Sequence, residues 1–377
     1  YIFNTNNNGL IQINNDIFTE EEREYLRVNR FWVDDNEDEI ALLEREINHN
    51  IQKRQKELEL TIALTNYCNF SCVYCYQNKN EKLMTTEVAN MIIEKIDRIL
   101  NDNIFEGINI HYFGGEPLLN IPVLIYLDEN IKKITDKIGI VYKAFLTTNG
   151  SMLSKELLQK VKFSSIQLTF DGLEKTHDRL RVSDHFHFKE EIELIENIMN
   201  FSQAKVLLRT NICKENKDEI IALHKYIFEK FGNERIEINP NRTIKYHQDD
   251  SFEMLSVQEY AEVAYQIKLL WSEQKGKFEL PVPRSTPCKF PYGNAYAISP
   301  EGYCTFCSGS MDQEKKYFFD VDIENKKMFS VRKECKKCNI LPLCLGGCII
   351  QYNLRAGACT YEKYELKNIL ISYIKHI

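Results

Sequence analysis

Cys68-Asn-Phe-Ser-Cys72-Val-Tyr-Cys75 sets three thiols in a C-x3-C-x2-C frame. The stretch before it, Leu58-Glu-Leu-Thr-Ile-Ala-Leu-Thr65, is mostly apolar and reads as a buried strand. The cysteines therefore lie on the loop that leaves this strand. Short spacings let one loop wrap a single metal centre, and iron–sulfur clusters are held by such thiolates. A four-iron cluster usually takes four thiolates, so a loop with three leaves one iron open to another ligand. On spacing alone a zinc knuckle is the plainer alternative. Tyr76, directly after the third cysteine, argues against it.

The chain has 377 residues, long enough for one large unit with one or two smaller ones. A hydrophobic fraction of 44% supports a real core. The net charge of −7 argues against a broad phosphate-binding face, and so against a nucleic-acid partner. Twelve cysteines would suggest disulfides in a secreted protein. No signal peptide or apolar run of about 18 residues is visible, so the expectation is a cytoplasmic protein, free of membrane, whose cysteines bind metal. The chain opens at Tyr1 rather than Met, which leaves its natural start open.

Four segments are expected: 1–57, 58–245, 246–283 and 284–377. In the first, Asn8-Gly9 between Tyr1-Ile-Phe and Leu10-Ile-Gln-Ile signals a hairpin. Thr19-Glu-Glu-Glu22 is a capping-box start for a short helix, and Phe31-Trp-Val33 reads as a third strand. The acidic run from Asp34 to Glu39 opens a helix to about Glu57. From Leu58, strand-like runs at 58–65, 108–113, 140–147, 166–170, 205–210 and 235–239 alternate with amphipathic helices at 86–100, 122–137, 154–161, 188–201 and 217–231. Such βα repeats imply parallel strands with right-handed crossovers. The fold expected is α/β, a partial (β/α)6 barrel. A polar linker spans 242–256. A helix follows over 257–273, with Trp271 buried against the barrel. A proline-punctuated segment then leads into the cysteine-rich C-terminus.

In parallel α/β folds the chemistry gathers at the carboxyl ends of the strands. The polar motifs fall there: the cysteine loop, Gly114-Gly-Glu-Pro117, Thr147-Thr-Asn-Gly150, Thr169 with Asp171-Gly172, Arg209-Thr-Asn211 and Asn239-Pro-Asn241. Glycines allow close backbone approach, Glu116 offers a carboxylate to a cation, and Arg209 can grip a carboxylate in bidentate fashion.

With Tyr76, the cysteine loop resembles the radical S-adenosylmethionine (SAM) superfamily. That resemblance implies that Cys68, Cys72 and Cys75 hold a [4Fe-4S] cluster whose open iron chelates SAM. It further implies SAM contacts from Tyr74, Gly114, Gly115, Glu116, Asn149, Thr169 and Arg209, with Glu116 on the amino group, Arg209 on the carboxylate, and Thr169 and Asn149 toward the ribose. Asp171-Gly-Leu-Glu-Lys-Thr-His177-Asp178-Arg-Leu-Arg181 looks like the segment of radical SAM enzymes that act on peptides, where the histidine is more often structural than a base.

Cys288, Gly302, Cys307, Cys335-x2-Cys338-x5-Cys344-x3-Cys348 and Cys359 match the seven-cysteine pattern of the SPASM domain, which binds two auxiliary [4Fe-4S] clusters. Carried over, Cys335, Cys338, Cys344 and Cys359 hold the outer cluster, and Cys288, Cys307 and Cys348 the inner one. A further cysteine that some members place soon after the first is missing between Lys289 and Ala297. Either Cys304 is the fourth ligand or the inner cluster has an open iron. Two thiols at i and i+3 on a strand would point oppositely. Cys213 reads as a buried apolar thiol.

The resemblance implies three [4Fe-4S] clusters, SAM, a precursor peptide as partner and an electron donor such as flavodoxin or ferredoxin. It implies a maturase of ribosomally made peptides that forms thioether or carbon–carbon cross-links. The competing reading is an anaerobic sulfatase-maturing enzyme. A third, from another class, is a non-catalytic iron–sulfur scaffold, which the intact SAM motifs oppose. The first 57 residues resemble a shortened leader-binding module. Ser308 follows Cys307 where sulfatase-maturing enzymes carry an acidic base, and the nearest acid is Asp312.

Overall fold

The computed structural model describes the chain except residues 14–17, 103–104, 233–234, 246–250, 306, 311–315, 322–327, 349–358 and 377. The chain divides into two compact units. One comprises Tyr1–Lys53, Val257–Tyr292 and Lys327–Ile377, and the other Arg54–Ser256 and Gly293–Lys326.

The first unit begins with the hairpin β1 (Ile2–Asn4) and β2 (Gly9–Ile11), paired antiparallel with Asn4 opposite Gly9. Asn8 sits at φ 63°, the left-handed conformation that an Asn-Gly turn accommodates. Helix α1 (Glu20–Val28) carries the capping box expected at Thr19, with Glu22 answering it. The segment Phe31–Val33 is not a strand; it turns, and Phe31 and Trp32 donate their N–H groups back to Leu26 O. Helix α2 starts at Glu39 but stops at Arg54, because the chain is already extended by Glu57. Its Ile47 and Ile51 pack with Phe329, Val331, Leu341 and Leu345 into one apolar cluster.

The second unit is the α/β core. Six parallel strands run in sequence order: β3 (Glu57–Ala63), β4 (Gly107–Phe113), β5 (Val141–Thr147), β6 (Phe163–Thr169), β7 (Lys205–Ile212) and β8 (Ile236–Arg242). The crossovers are α3 (Thr86–Asp102), α4 (Ile121–Ile138), α5 (Lys155–Lys160), α6 (Glu174–Leu180) with α7 (Phe188–Phe201), and α8 (Ile220–Phe231). Helix α6, inside the Asp171–Arg181 motif, was not expected from periodicity. It is only 7 residues long, too short to show a helical repeat. Alternation sorts the sheet's two faces. Ile108, Ile110, Tyr112, Leu146, Ile166, Leu168, Val206 and Leu208 are buried. Asn109, His111, Thr147, Gln167, Arg209, Asn211, Asn239 and Asn241 stay partly exposed on the opposite face. His111 Nε2 lies 2.8 Å from Thr147 Oγ1, and Asn239 Nδ2 donates to Gln167 Oε1 at 3.2 Å.

Three further strands extend the sheet beyond β3. β9 (Ala295–Ile298) runs parallel to β3, and β10 (Tyr303–Thr305) and β11 (Lys316–Tyr317) add antiparallel. The stretch read from sequence as the start of the cysteine-rich domain therefore contributes to the core sheet. All four β9 residues are buried. Such an apolar run without alternation is what a strand covered on both faces requires.

Helix α9 (Val257–Lys275) belongs to the first unit and packs against the C-terminal helix Glu362–His376. Trp271 on it is buried, and its helix belongs to the first unit. Lys268 Nζ reaches the buried Glu365 at 2.5 Å, and the Tyr265 and Ser372 hydroxyls meet at 2.6 Å. Among the described residues no helix is long and apolar enough to cross a membrane.

His224 on α8 is wholly buried, with Nε2 3.3 Å from Thr210 Oγ1, and burial lowers its pKa from 6.5 to about 3. The folded value lies below the unfolded one, so the unfolded chain binds the extra proton. This part of the stability is complete above pH 6.5 and is lost as the pH falls from there toward 3. Each unit in that window amounts to about 1.4 kcal/mol. Urea midpoints at pH 7.5 and pH 5 should differ more in the parent than in His224→Leu.

Candidate active site

The cysteine loop leaves β3 and is fastened at both ends. Leu64 N donates to Phe113 O at 2.9 Å, and Thr65 Oγ1 to Lys82 O at 2.8 Å, closing its base. Asn120 Nδ2, on the connection into α4, bonds Leu64 O at 3.1 Å and Met84 O at 2.9 Å. Phe70, between the first two cysteines, is 1% exposed and is the loop's apolar anchor. Its N–H donates to Cys68 Sγ at 3.4 Å. Cys68, Cys72 and Cys75 are all half-buried and within electrostatic reach of one another. Burial pushes the Cys72 thiol up to about 11 against the pull of Arg181. Cys68 is also raised by burial, partly offset by the Phe70 N–H. Among the described residues, no three His, Cys, Asp or Glu side chains are gathered closely enough to hold a single ion.

Gly114-Gly115 is pressed against this loop. Gly115 N donates to Thr65 O and Glu116 N to Tyr67 O, each at 2.8 Å. A Cβ on Gly114, which has φ +136°, would stand 2.3 Å from Thr65 O, and one on Gly115 would stand 2.1 Å from Tyr67 O. The glycines are thus required by the cysteine loop itself, before any ligand is considered.

Glu116 turns inward. It is 0% exposed, and its carboxylate accepts from Thr148 Oγ1 at 2.6 Å, Asn149 N at 2.6 Å and Leu118 N at 3.0 Å. Burial raises its pKa despite those three donors. Its geometry is that of a clamp between the strand ends of β4 and β5 rather than a group held out to a ligand. Asn149 is drawn into the same network. Its Nδ2 donates to Asn69 Oδ1 at 2.8 Å and lies 3.9 Å from Cys68 Sγ, while Oδ1 accepts from Ser151.

A second network joins the loop to β7. The Tyr74 hydroxyl donates to Asp171, which is 0% exposed. The other oxygen of Asp171 accepts from Asn211 N at 2.7 Å, and Asn211 Oδ1 accepts from Arg209 Nε at 2.9 Å. Burial raises the Asp171 pKa, against the pull of Arg181. Thr169 is the register partner of Arg209 across β6 and β7, so both side chains leave the same face. Gly114, Gly115, Asn149, Thr169, Arg209 and Tyr74 are therefore brought to one end of the core sheet. Asp171, Asn211 and Arg181 lie in motifs visible in the sequence, which by themselves give these residues no role. The available signal was Asp171 and Arg181 as opposite charges bracketing one short segment; their burial is not legible in a linear chain. His177 is buried with Nε2 3.1 Å from the buried Glu191, in keeping with a structural residue.

The remaining cysteines divide by unit. In the first unit, Cys338 N donates to Cys335 O at 3.0 Å in a tight turn, and Cys338 electrostatically raises the buried Cys344 thiol, for which burial is the larger cause. A Cβ on Gly347 would meet Thr360 Cγ2 at 2.3 Å, so the loop after Cys344 lies against the neighbour of Cys359. Cys288 and Cys348 are exposed in that unit. Cys304 and Cys307 belong to the core. Cys304 is 3% exposed inside the β10 ladder, whereas Cys307 follows the end of that strand, so the two do not share strand geometry. Cys213 is wholly buried beside Leu180 and Phe252, as an apolar thiol is expected to be. Asp312 lies outside the described residues.

Glu116→Ala removes the acceptor from three buried donors. At about 1–3 kcal/mol for each group left unsatisfied, the variant should lose several kcal/mol in chemical denaturation. A variant as stable as the parent, with only weaker SAM binding, would put the carboxylate at the ligand instead.

Comparison with known proteins agrees with this architecture. Residues 62–227 match the Radical SAM superfamily. The chain is similar to the radical SAM cyclopropyl synthase TigE of Paramaledivibacter caminithermalis, 24% identical across 86% of this chain and 76% of that protein. It also resembles an uncharacterised protein of Methanocaldococcus jannaschii, 34% identical across 30% of this chain, and spans 39% of that protein's length. Among solved structures, anSMEcpe with bound AdoMet and the Cp18Cys peptide superposes with a TM-score of 0.67 at 18% identity, covering 85% of this chain and 99% of that one. Streptococcus suis SuiB bound to the precursor peptide SuiA superposes with a TM-score of 0.56 at 17% identity, covering 89% and 84%. At such identities the likeness attests the fold. The six parallel strands, the three-cysteine loop at their carboxyl end and the family match agree: residues 62–227 of this chain are a radical SAM domain.

Proposed function

We propose that the chain is a radical SAM maturase that modifies a ribosomally made precursor peptide, closing a thioether or carbon–carbon cross-link. The observation that carries the radical SAM part is the double fastening of the Gly115-Glu116 backbone to the base of the three-cysteine loop, with Gly114 pressed against it. The donor set fits a four-iron cluster with one open iron: three neighbouring thiols, a buried cation beside them and no fourth sulfur on the loop. In this reading Cys68, Cys72 and Cys75 hold the cluster. The backbone of Gly114 and Gly115 receives the SAM amino group, with Glu116 bracing that turn from below. Arg209 grips the SAM carboxylate, and Thr169, Asn149 and Tyr74 line the remainder. The cluster with its SAM supplies a 5′-deoxyadenosyl radical, and the domain's own task is to orient SAM and exclude water.

The same reading gives Cys335, Cys338, Cys344 and Cys359 to an outer auxiliary cluster. It gives Cys288, Cys307 and Cys348 to an inner one, for three [4Fe-4S] clusters in all. The burial of Cys304 within its strand ladder favours an inner cluster with one open iron. A cytoplasmic setting and a flavodoxin or ferredoxin as reductant belong to the proposal.

A peptide substrate is supported by the bound peptides named for anSMEcpe and SuiB. The sulfatase-maturing reaction remains the rival, favoured by the 99% coverage of anSMEcpe. Against it stands Ser308 after Cys307, where a base is needed as a hydroxyl or thiol loses its proton. The N-terminal hairpin, whose strands pair with each other and with no further strand among the described residues, offers an edge on which a leader could add as a strand.

In anaerobic assays with SAM and a reductant, Cys68→Ala, Cys72→Ala and Cys75→Ala should each abolish 5′-deoxyadenosine formation. Arg209→Ala should weaken SAM binding roughly tenfold or more, the worth of a charged hydrogen bond. Offered both substrate types, the parent should modify the precursor peptide. Formylglycine in a sulfatase-motif peptide, with the precursor untouched, would reverse the choice.

A further inference from the structure

The loop of Cys68–Cys75 is closed on its second side by the segment after α6, and that segment carries a buried cation. Ser71 N donates to Val182 O at 2.8 Å, and Val73 N to Leu180 O at 3.0 Å. These bonds run from the residues that flank Cys72 to the carbonyls that flank Arg181 at the end of α6, so the main chain holds the two segments side by side. Arg181 is 6% exposed, and its guanidinium carbon stands 5.3 Å from the centre of the Phe70 ring. Its Nε is buried and makes no hydrogen bond among the described residues. Burial alone would weaken its charge. Cys72, Tyr74, Glu191 and Asp171 outweigh that and hold the guanidinium firmly protonated. Behind it, both Glu191 oxygens are buried without a hydrogen bond among the described residues, and His177 Nε2 stands 3.1 Å from one of them.

Two carboxylates, Asp171 and Glu191, would suffice to explain a buried arginine. They do not explain why the cation is tied by main-chain bonds to the cysteine loop, with one donor left over. We infer that Arg181 is a positioning residue for electron entry: it fixes a permanent positive charge beside Cys72 and thereby raises the reduction potential of a cluster held on this loop. The inference rests on the reading that Cys68, Cys72 and Cys75 hold that cluster. Adding one electron makes a cluster more negative. A fixed cation in a poorly solvated site stabilises the reduced form more than the oxidised one. Lysine could supply the charge; glutamine or methionine could not.

The test is a potentiometric titration of the reconstituted holoenzyme, followed by the electron paramagnetic resonance signal that SAM perturbs. Iron and sulfide are measured alongside. Arg181→Lys should keep the parent potential, while Arg181→Met and Arg181→Gln should shift it to more negative values at full iron content. Slower reductive SAM cleavage should follow, with a strong reductant restoring it. Neutral variants with full iron and an unchanged potential would overturn the inference. Loss of the cluster together with unfolding in both neutral variants would overturn it too, by making the residue purely structural. A parent protein without a SAM-sensitive cluster would instead remove the proposed function beneath it.

Discussion

The tightest constraint in the core is the contact between two stretches of backbone. Gly114-Gly115 lies so close to Thr65–Tyr67 that a single added carbon would stand about 2 Å from a carbonyl oxygen. The two loops leave adjacent parallel strands, β3 and β4, at the same end. Their mutual hydrogen bonds make one rigid ledge from what would be two mobile connections. The cysteine positions depend on that ledge and on the loop's own anchors, the buried Phe70 and the half-buried Val73 and Tyr74, which pack against Leu180, Cys213 and Phe252. Glu116 extends it to the next strand by holding Thr148 and Asn149, and Asn149 returns to the neighbourhood of Cys68. Order passes from β3 to β4 to β5 through one buried carboxylate.

A second feature is the concentration of charge at the same end of the sheet. Glu116, Asp171 and Arg181, which follow strand ends or the short α6, and Glu191 in the first turn of α7 are nearly or fully buried. Burying such groups is costly unless partners answer them. Here the partners are backbone N–H groups, Tyr74 and the opposed charges. The result fixes several loops relative to one another, which a site that must hold an organic cofactor in one orientation requires. The outer face of the sheet does no such work; its alternating Ile, Leu and Val residues bury apolar area against the helices.

Most core strands and the longer crossover helices were legible in the chain because they carry a strong period or an unbroken apolar run. Alternation is visible in 108–113 and 205–210, and 3.6-residue spacing in α3, where Ala89, Ile92, Ile96 and Ile99 line one face. Elements without a period were missed or misplaced. Helix α6 is too short to show one. Phe31–Val33 is rich in strand-forming residues, yet among the described residues it has no partner strand, and it folds back on Leu26. β9 has no alternation because it is enclosed, and its pairing with β3 joins residues more than 230 positions apart.

The sequence by itself determined the chemistry available: three thiols at fixed spacing after a strand, paired glycines after the next, and polar residues at each following strand end. Covalent spacing and local propensity suffice for that, since they act over a few residues. Which of those groups face a ligand and which serve as internal braces was decided only by tertiary structure. Glu116 looks in the chain like a ligand-binding carboxylate, and packing turns it into a clamp. Arg181 is in the chain only the last residue of a motif, and main-chain bonds from Ser71 and Val73 to its neighbours hold it beside Cys72. Burial depends on what distant segments bring to a side chain, and no stretch of sequence contains its own surroundings.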